Sequence, residues 1–221
     1  MVAHDGFMYS VAGSTTNTGG GAVNSVHKAS INADGSLGSW SQVGTLPSTT
    51  WLCSSFIVNG FLYVIGGKNA SGGHLATVAY ASVNADGTLG SFSTTTPLPS
   101  ARRDAGAAVH NGRIYVIGGY DGTYLQDAYV STPQPDGSIV AWTPVCAPPE
   151  GRLGHKTLVS YGHVYLIAGQ SSNGTYKYNT SVHVAPILSD GSLGAWSQTN
   201  AIMTGRYFHA AALFEGIAYV L

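Results

Sequence analysis

Charge is what this sequence has least of. Nine basic and ten acidic residues among 221 leave a net charge of -1, so no basic stripe exists for a phosphate backbone and no nucleic-acid partner is expected. Cysteine is nearly missing as well. Cys53 and Cys146 are too few for a disulfide framework and stand at no metal-ligand spacing, so no metal and no cofactor is expected. No run of about 18 apolar residues occurs, which excludes a spanning helix and with it a membrane partner. Met1 leads straight into Val2-Ala3-His4-Asp5-Gly6, without the basic start and apolar stretch of a secretory signal.

Glycine is abundant, at 30 residues, and 44% of the chain is hydrophobic; together these suit many short strands joined by tight turns. The arrangement is periodic. Gly112-Arg113-Ile114-Tyr115-Val116-Ile117-Gly118-Gly119 has near copies centred on Tyr9, Tyr63, Tyr165 and Tyr219, at intervals of 54, 52, 50 and 54 residues. A second motif keeps step with it: Asp34 to Trp40 matches Asp86 to Phe92, Asp136 to Trp142 and Asp190 to Trp196.

Each repeat reads as four antiparallel strands, most plainly in the third copy. Ala107 to His110 is a first strand, and Asn111-Gly112 turns it into a second, Arg113 to Ile117. Gly118-Gly119 ends that strand, because paired glycines admit positive φ and close backbone approach. Ala128 to Ser131 is the third strand. Asp136-Gly137-Ser138 then turns the chain into a fourth, which carries Trp142. In these turns the Asp accepts hydrogen bonds from its own backbone, so four of the ten carboxylates are structural; Asp5 and Glu215 fill the hairpin position held elsewhere by Asn59 and Asn111.

The period, the glycine pair (Gly66-Gly67 and Gly118-Gly119, weakened to Ala12-Gly13 and Ala168-Gly169), the tyrosine three residues before it and the late aromatic residue resemble the kelch repeat. The resemblance covers the whole chain. It implies an all-β fold, a β-propeller of four-stranded antiparallel blades, arranged as one array with repeats at about 1–48, 49–100, 101–150 and 151–204 and a partial fifth at 205–221. The family's Arg followed three residues later by His is matched by Arg152 with His155 and by Arg206 with His209; Arg102 is followed instead by Ala105, and the second repeat has Thr50 and Cys53. His155 and His209 are expected to line a central channel. An array of four repeats and a half leads to the expectation of an incomplete propeller, or of a homo-oligomer that completes it. The composition, rich in Ser, Thr, Asn and Gly, is similar to that of secreted or cell-surface bacterial propellers.

Antiparallel order puts the start of each first strand and the end of each second on one edge of its sheet. The flanking loops therefore share a face. Arg102, Arg152 and Arg206 stand there in register, with Trp51, His74, Tyr120, Tyr124 and Tyr176 as further ligand-binding candidates, and Asp121, Tyr178, Arg103 and Tyr207 beside them. For the arginines two readings stand, ligand contact and bonding of backbone carbonyls between blades. The expected function is a non-enzymatic module that binds a protein or a glycan through this face. The alternatives are a self-assembling structural fragment and a carbohydrate-active enzyme, either a sialidase-like hydrolase or a sugar isomerase. Asp104, Asp121 and Glu150 are the carboxylates left for a hydrolase. No residue is assigned a catalytic role.

Overall fold

The computed structural model describes residues 1–172 and 176–221. The chain forms two compact units, residues 1–101 with 133–140, and residues 102–132 with 141–221. Every strand pairing in both is antiparallel. The triplet Asn173-Gly174-Thr175, a chance match to the glycosylation acceptor in a chain rich in Ser, Thr and Asn, lies outside the described residues.

The first unit holds two four-stranded sheets. One runs in the order β1 (Val2–His4), β2 (Phe7–Ser14), β3 (Ala22–Ser30), β4 (Ser41–Thr45), and the other β5 (Ser54–Val58), β6 (Phe61–Ile65), β7 (Val78–Ser82), β8 (Ser93–Thr95). Sequence order is thus spatial order, because each connection is short enough only for a neighbouring antiparallel strand. Tyr9, Val26, Leu46, Leu62, Val64 and Ala79 make the core. Leu62 to Ile65 are all buried, so the second strand is apolar at consecutive positions and not at alternate ones. Each such side chain contributes about 1.5–3 kcal/mol by leaving water.

The second unit repeats this plan. One sheet contains β9 (Gly106–His110), β10 (Arg113–Ile117), β11 (Ala128–Ser131) and β12 (Thr143–Pro144); the next contains β13 (Lys156–Ser160), β14 (His163–Ile167), β17 (Val182–Pro186) and β18 (Ser197–Thr199). Two hairpins accompany them. β15 (Gln170–Ser172) pairs with β16 (Tyr176–Tyr178), and β19 (Ala211–Phe214) with β20 (Ile217–Val220). The first lies where the sequence pattern predicts a loop. The core gathers Tyr115, Ile117, Ala128, Val164, Leu166, Ala185 and Leu193.

The turns explain the period. Asp5, Asn59, Asn111, Tyr161 and Glu215 all have φ between 44° and 50°, and the glycine after each has φ between 69° and 78°. Two consecutive positive-φ residues make the tight hairpin whose twist matches its strands. At the Asp-Gly turns, Oδ1 of Asp34, Asp86, Asp136 and Asp190 accepts from both the amide and the hydroxyl of the Ser or Thr two residues on, at 2.6–2.9 Å. Those bonds, the hydroxyl's foremost, hold each carboxyl below its usual range. The aromatic residue of the motif precedes the fourth strand and does not lie in it: Trp142 stands before β12 and Trp196 before β18.

The central tyrosine reaches such a turn. Tyr9 donates to the Gly87 carbonyl at 2.9 Å and Tyr63 to that of Gly137 at 2.5 Å, both inside the first unit; Tyr115 donates to that of Gly191 at 2.9 Å inside the second. Burial raises all three phenol pKa values. The turn of the first repeat differs. Nothing approaches a Cβ placed on Gly35, and Leu37 and Trp40 are exposed.

The second glycine of the pair is required by space as well as by φ. At Gly119, φ is 104° and a Cβ would lie 2.8 Å from the Arg103 carbonyl oxygen. Gly119→Ala is therefore expected to cost roughly 2 kcal/mol or more, measured as a lowered midpoint in urea with an unchanged slope.

Candidate functional site

The in-register position at the entry of the repeat is a fastening point inside its own sheet. Thr50 Oγ1 donates to the Gly66 carbonyl at 3.2 Å, Arg102 Nη1 to that of Gly118 at 2.9 Å, and Arg152 Nη1 to that of Ala168 at 2.9 Å. Each acceptor begins the pair that closes the second strand. Arg102 and Arg152 are each 1% exposed, which corrects the expectation that they face a ligand. The Gly118 and Ala168 carbonyls lie in the same repeat as the arginine that bonds them.

The two arginines differ in their company. Arg102 grips Asp127 with two bonds, at 2.5 and 2.9 Å, while its guanidinium lies 5.3 Å from the Tyr129 ring centre and Tyr129 donates to Asp127 at 3.1 Å. In the fourth repeat Ser181 and His183 stand where the third has Asp127 and Tyr129, one residue to either side of the paired positions Val182 and Ala128. Arg152 instead takes Glu150 at 2.6 Å, Ser181 Oγ at 2.6 Å and His183 Nδ1 at 2.9 Å. A guanidinium only donates, so His183 accepts through Nδ1 and carries its proton on Nε2. Burial draws the Arg152 pKa below the usual arginine value, against the pull of Glu150. Arg206 is half-buried and donates to the Thr204 carbonyl at 3.4 Å.

The loop aromatics lie nearer to solvent. In the first unit Trp51 is half-buried, its ring has Lys68 Nζ at 5.9 Å, and a Cβ on Gly19 would fall 2.3 Å from it. His74 pairs with Lys68 through the backbone. In the second unit Tyr120 meets Tyr124 edge to face at 5.3 Å, with the Arg103 guanidinium 4.8 Å from the Tyr120 ring centre. Tyr178 stacks on Tyr207 at 5.0 Å and Tyr207 contacts Phe208 at 4.7 Å. These three are 52%, 38% and 50% exposed. The Tyr176 side chain lies outside the described residues. Phe208, absent from the sequence candidates, is placed by backbone geometry: Asp104, Gly154 and Phe208 share φ of 53–61°, and their backbones bond in series at 3.0 and 2.9 Å.

The family model described as the KLHDC2/KLHL20/DRC7 Kelch-repeats domain matches residues 1–221. The chain belongs to this kelch-repeat family. A solved structure, that of YjhT, is similar to it with a TM-score of 0.78 at 15% identity, over 98% of this chain and 74% of that one. No curated protein matches the chain in sequence. The fold is accordingly an all-β propeller of four-stranded blades, and the kelch arginine seen here is the one that fastens the second strand.

The histidines of the kelch Arg-x-x-His pattern are buried. His155 and His209 are 3% and 7% exposed. Desolvation, assisted by Arg152 and Lys156, pushes His155 down to about 3; desolvation, assisted by Lys156 and Arg206, pushes His209 down to about 4. Both are neutral at pH 7, and among the described residues no group of three His, Cys, Asp or Glu is placed to hold a metal. The carboxylates left for hydrolysis are engaged: Asp104 with Arg103, Asp121 with Thr123 at 2.8–2.9 Å, and Glu150 with Arg152.

Because the folded pKa of both histidines lies below the unfolded value near 6.5, the unfolded chain binds protons first on acidification. Their contribution to stability is complete above pH 6.5 and declines as pH falls toward 4, at about 1.4 kcal/mol per pH unit for His155. Thermal melts between pH 8 and pH 4.5 are expected to show that decline. His155→Gln is expected to flatten it.

Proposed function

We propose that this chain, a member of a family whose domains generally mediate protein interactions, is a non-enzymatic module that binds a protein segment along the ridge of Tyr178, Tyr207 and Phe208. The observation that carries the reading is their exposure while stacked: three rings at 4.7 and 5.0 Å spacing stand partly in water on a rigid frame. Stacking has already removed their rotamer freedom, so little ordering remains to oppose binding, and Tyr is favoured at the energetic centres of interfaces. Arg103 and Tyr120 extend the same chemistry to the neighbouring loop, which the Asp104, Gly154 and Phe208 backbone bonds hold close. The engaged carboxylates favour binding over hydrolysis.

Self-association is a second reading, favoured by one separate feature. Leu213, Phe214, Ile217 and Tyr219 of the β19–β20 hairpin are exposed, beside an apolar groove of about 400 Å³ that reaches Leu158, Tyr165 and Ile202. A second copy would cover that face.

Selection of a displayed peptide library on the immobilised chain supplies the probe. The selected peptide is expected to lose roughly 30-fold in affinity when Tyr178 and Tyr207 are both replaced by Ser, a hot-spot loss, with the melting midpoint unchanged. Peptide that holds the double variant as tightly would overturn the ridge. Sedimentation of the unliganded chain reads the second arrangement: a concentration-dependent mass supports it and a constant monomer mass removes it.

A further inference from the structure

The fourth repeat contains a polar cavity far larger than the matching space in the second. In the second repeat the space beside Thr50, bounded by Leu75, Thr77 and Ala79, measures about 10 Å³. In the fourth, the matching space beside Arg152 measures about 390 Å³ and is lined by Glu150, Asn179, Thr180, Ser181, His183 and Gln198. The third repeat holds the bulkier Gln126, Asp127 and Tyr129 at the positions of Thr180, Ser181 and His183. There Gln126 donates to the Pro148 and Pro149 carbonyls, and Asp127 and Tyr129 close on Arg102. Relative to the third repeat, three smaller side chains leave a hollow at the low end of the range for small-molecule sites.

Its polar groups are fixed and incompletely used. Asn179 is 1% exposed, donates to Ser171 Oγ at 2.9 Å, and its Oδ1 has no partner among the described residues. His183, neutral because burial and Arg152 lower its pKa, keeps Nε2–H as a donor. Ser181 and Thr180 bring hydroxyls, and Gln198 brings an amide at the exposed rim. The cation behind them is neutralised by Glu150 at 2.6 Å. An anion would meet the Glu150 carboxylate, and an apolar group would strand the Ser181 and Thr180 hydroxyls and the His183 Nε2–H.

We propose that this cavity binds a neutral polyhydroxyl ring, a single monosaccharide unit, whose hydroxyls donate to Glu150 and accept from His183 and Gln198. The site is separate from the aromatic ridge and does not depend on it.

The test is titration of the full chain with glucose, galactose, mannose, arabinose and N-acetylglucosamine, with glucuronate and inorganic phosphate as charged probes, followed by amide NMR. At least one neutral sugar is expected to shift amides of Asn179 to His183 and Gln198 saturably. Gln198→Ala, at the exposed rim, is expected to weaken that binding about five-fold. The pair Ser181→Asp with His183→Tyr, which refills the hollow as in the third repeat, is expected to abolish it in a chain that still melts cooperatively. Tyr207→Ser is expected to leave it unchanged, so that failure of the ridge and failure of the cavity read separately. No shift with any neutral sugar, tighter binding of glucuronate or phosphate, or binding that survives both the Gln198→Ala and the refilled variants would overturn the proposal.

Discussion

The hydrogen bond from the tyrosine of a second strand to the glycine carbonyl of an Asp-Gly turn some 75 residues on is the interaction on which the rest depends. A second strand apolar at consecutive positions cannot leave either face in water, and its phenol cannot be buried without an acceptor. The turn supplies both cover and acceptor. Its own Asp, satisfied by the following Ser or Thr, holds the carbonyl in place. Three copies of this bond set the repeat length from within, since a change in either motif's spacing would break it.

The fastening of the second strand's end follows the same logic with different residues. Thr50, Arg102 and Arg152 each reach the carbonyl sixteen residues ahead. The shared role is the carbonyl; the remaining donors are free to differ. Arg102 spends them on Asp127 and Tyr129 and fills its space, whereas Arg152 shares them among Glu150, Ser181 and His183 and leaves a hollow. Variation in this fold is therefore local, because the bond to the carbonyl is common to the three repeats while the other partners of the residue that makes it differ.

Much of the frame was legible in the sequence. The hairpin residues, down to Asp5 and Glu215 in place of Asn, have the positive φ that their position demanded, and the Asp turns bond themselves as read. What the residues bind was less legible. For the in-register arginines the sequence left two readings open, because periodicity shows that positions are equivalent and says nothing of whether they point in or out. The hollow at Arg152 was hidden for another reason: it arises from the sizes of Thr180, Ser181 and His183 relative to the third repeat, against a linker residue about 30 positions earlier. Phe208 was missed because only the serial backbone bonds of Asp104, Gly154 and Phe208 bring it to the ridge.

The claim that the phenol-to-turn bond holds the array is open to one comparison, the stability in urea of four single Tyr→Phe variants. Tyr9, Tyr63 and Tyr115 donate to turn carbonyls, and among the described residues Tyr165 has no such bond. The account predicts a loss of about 1 kcal/mol for each of the first three and a change within about 0.5 kcal/mol for Tyr165→Phe. Equal losses at all four positions, or none at any, would contradict it.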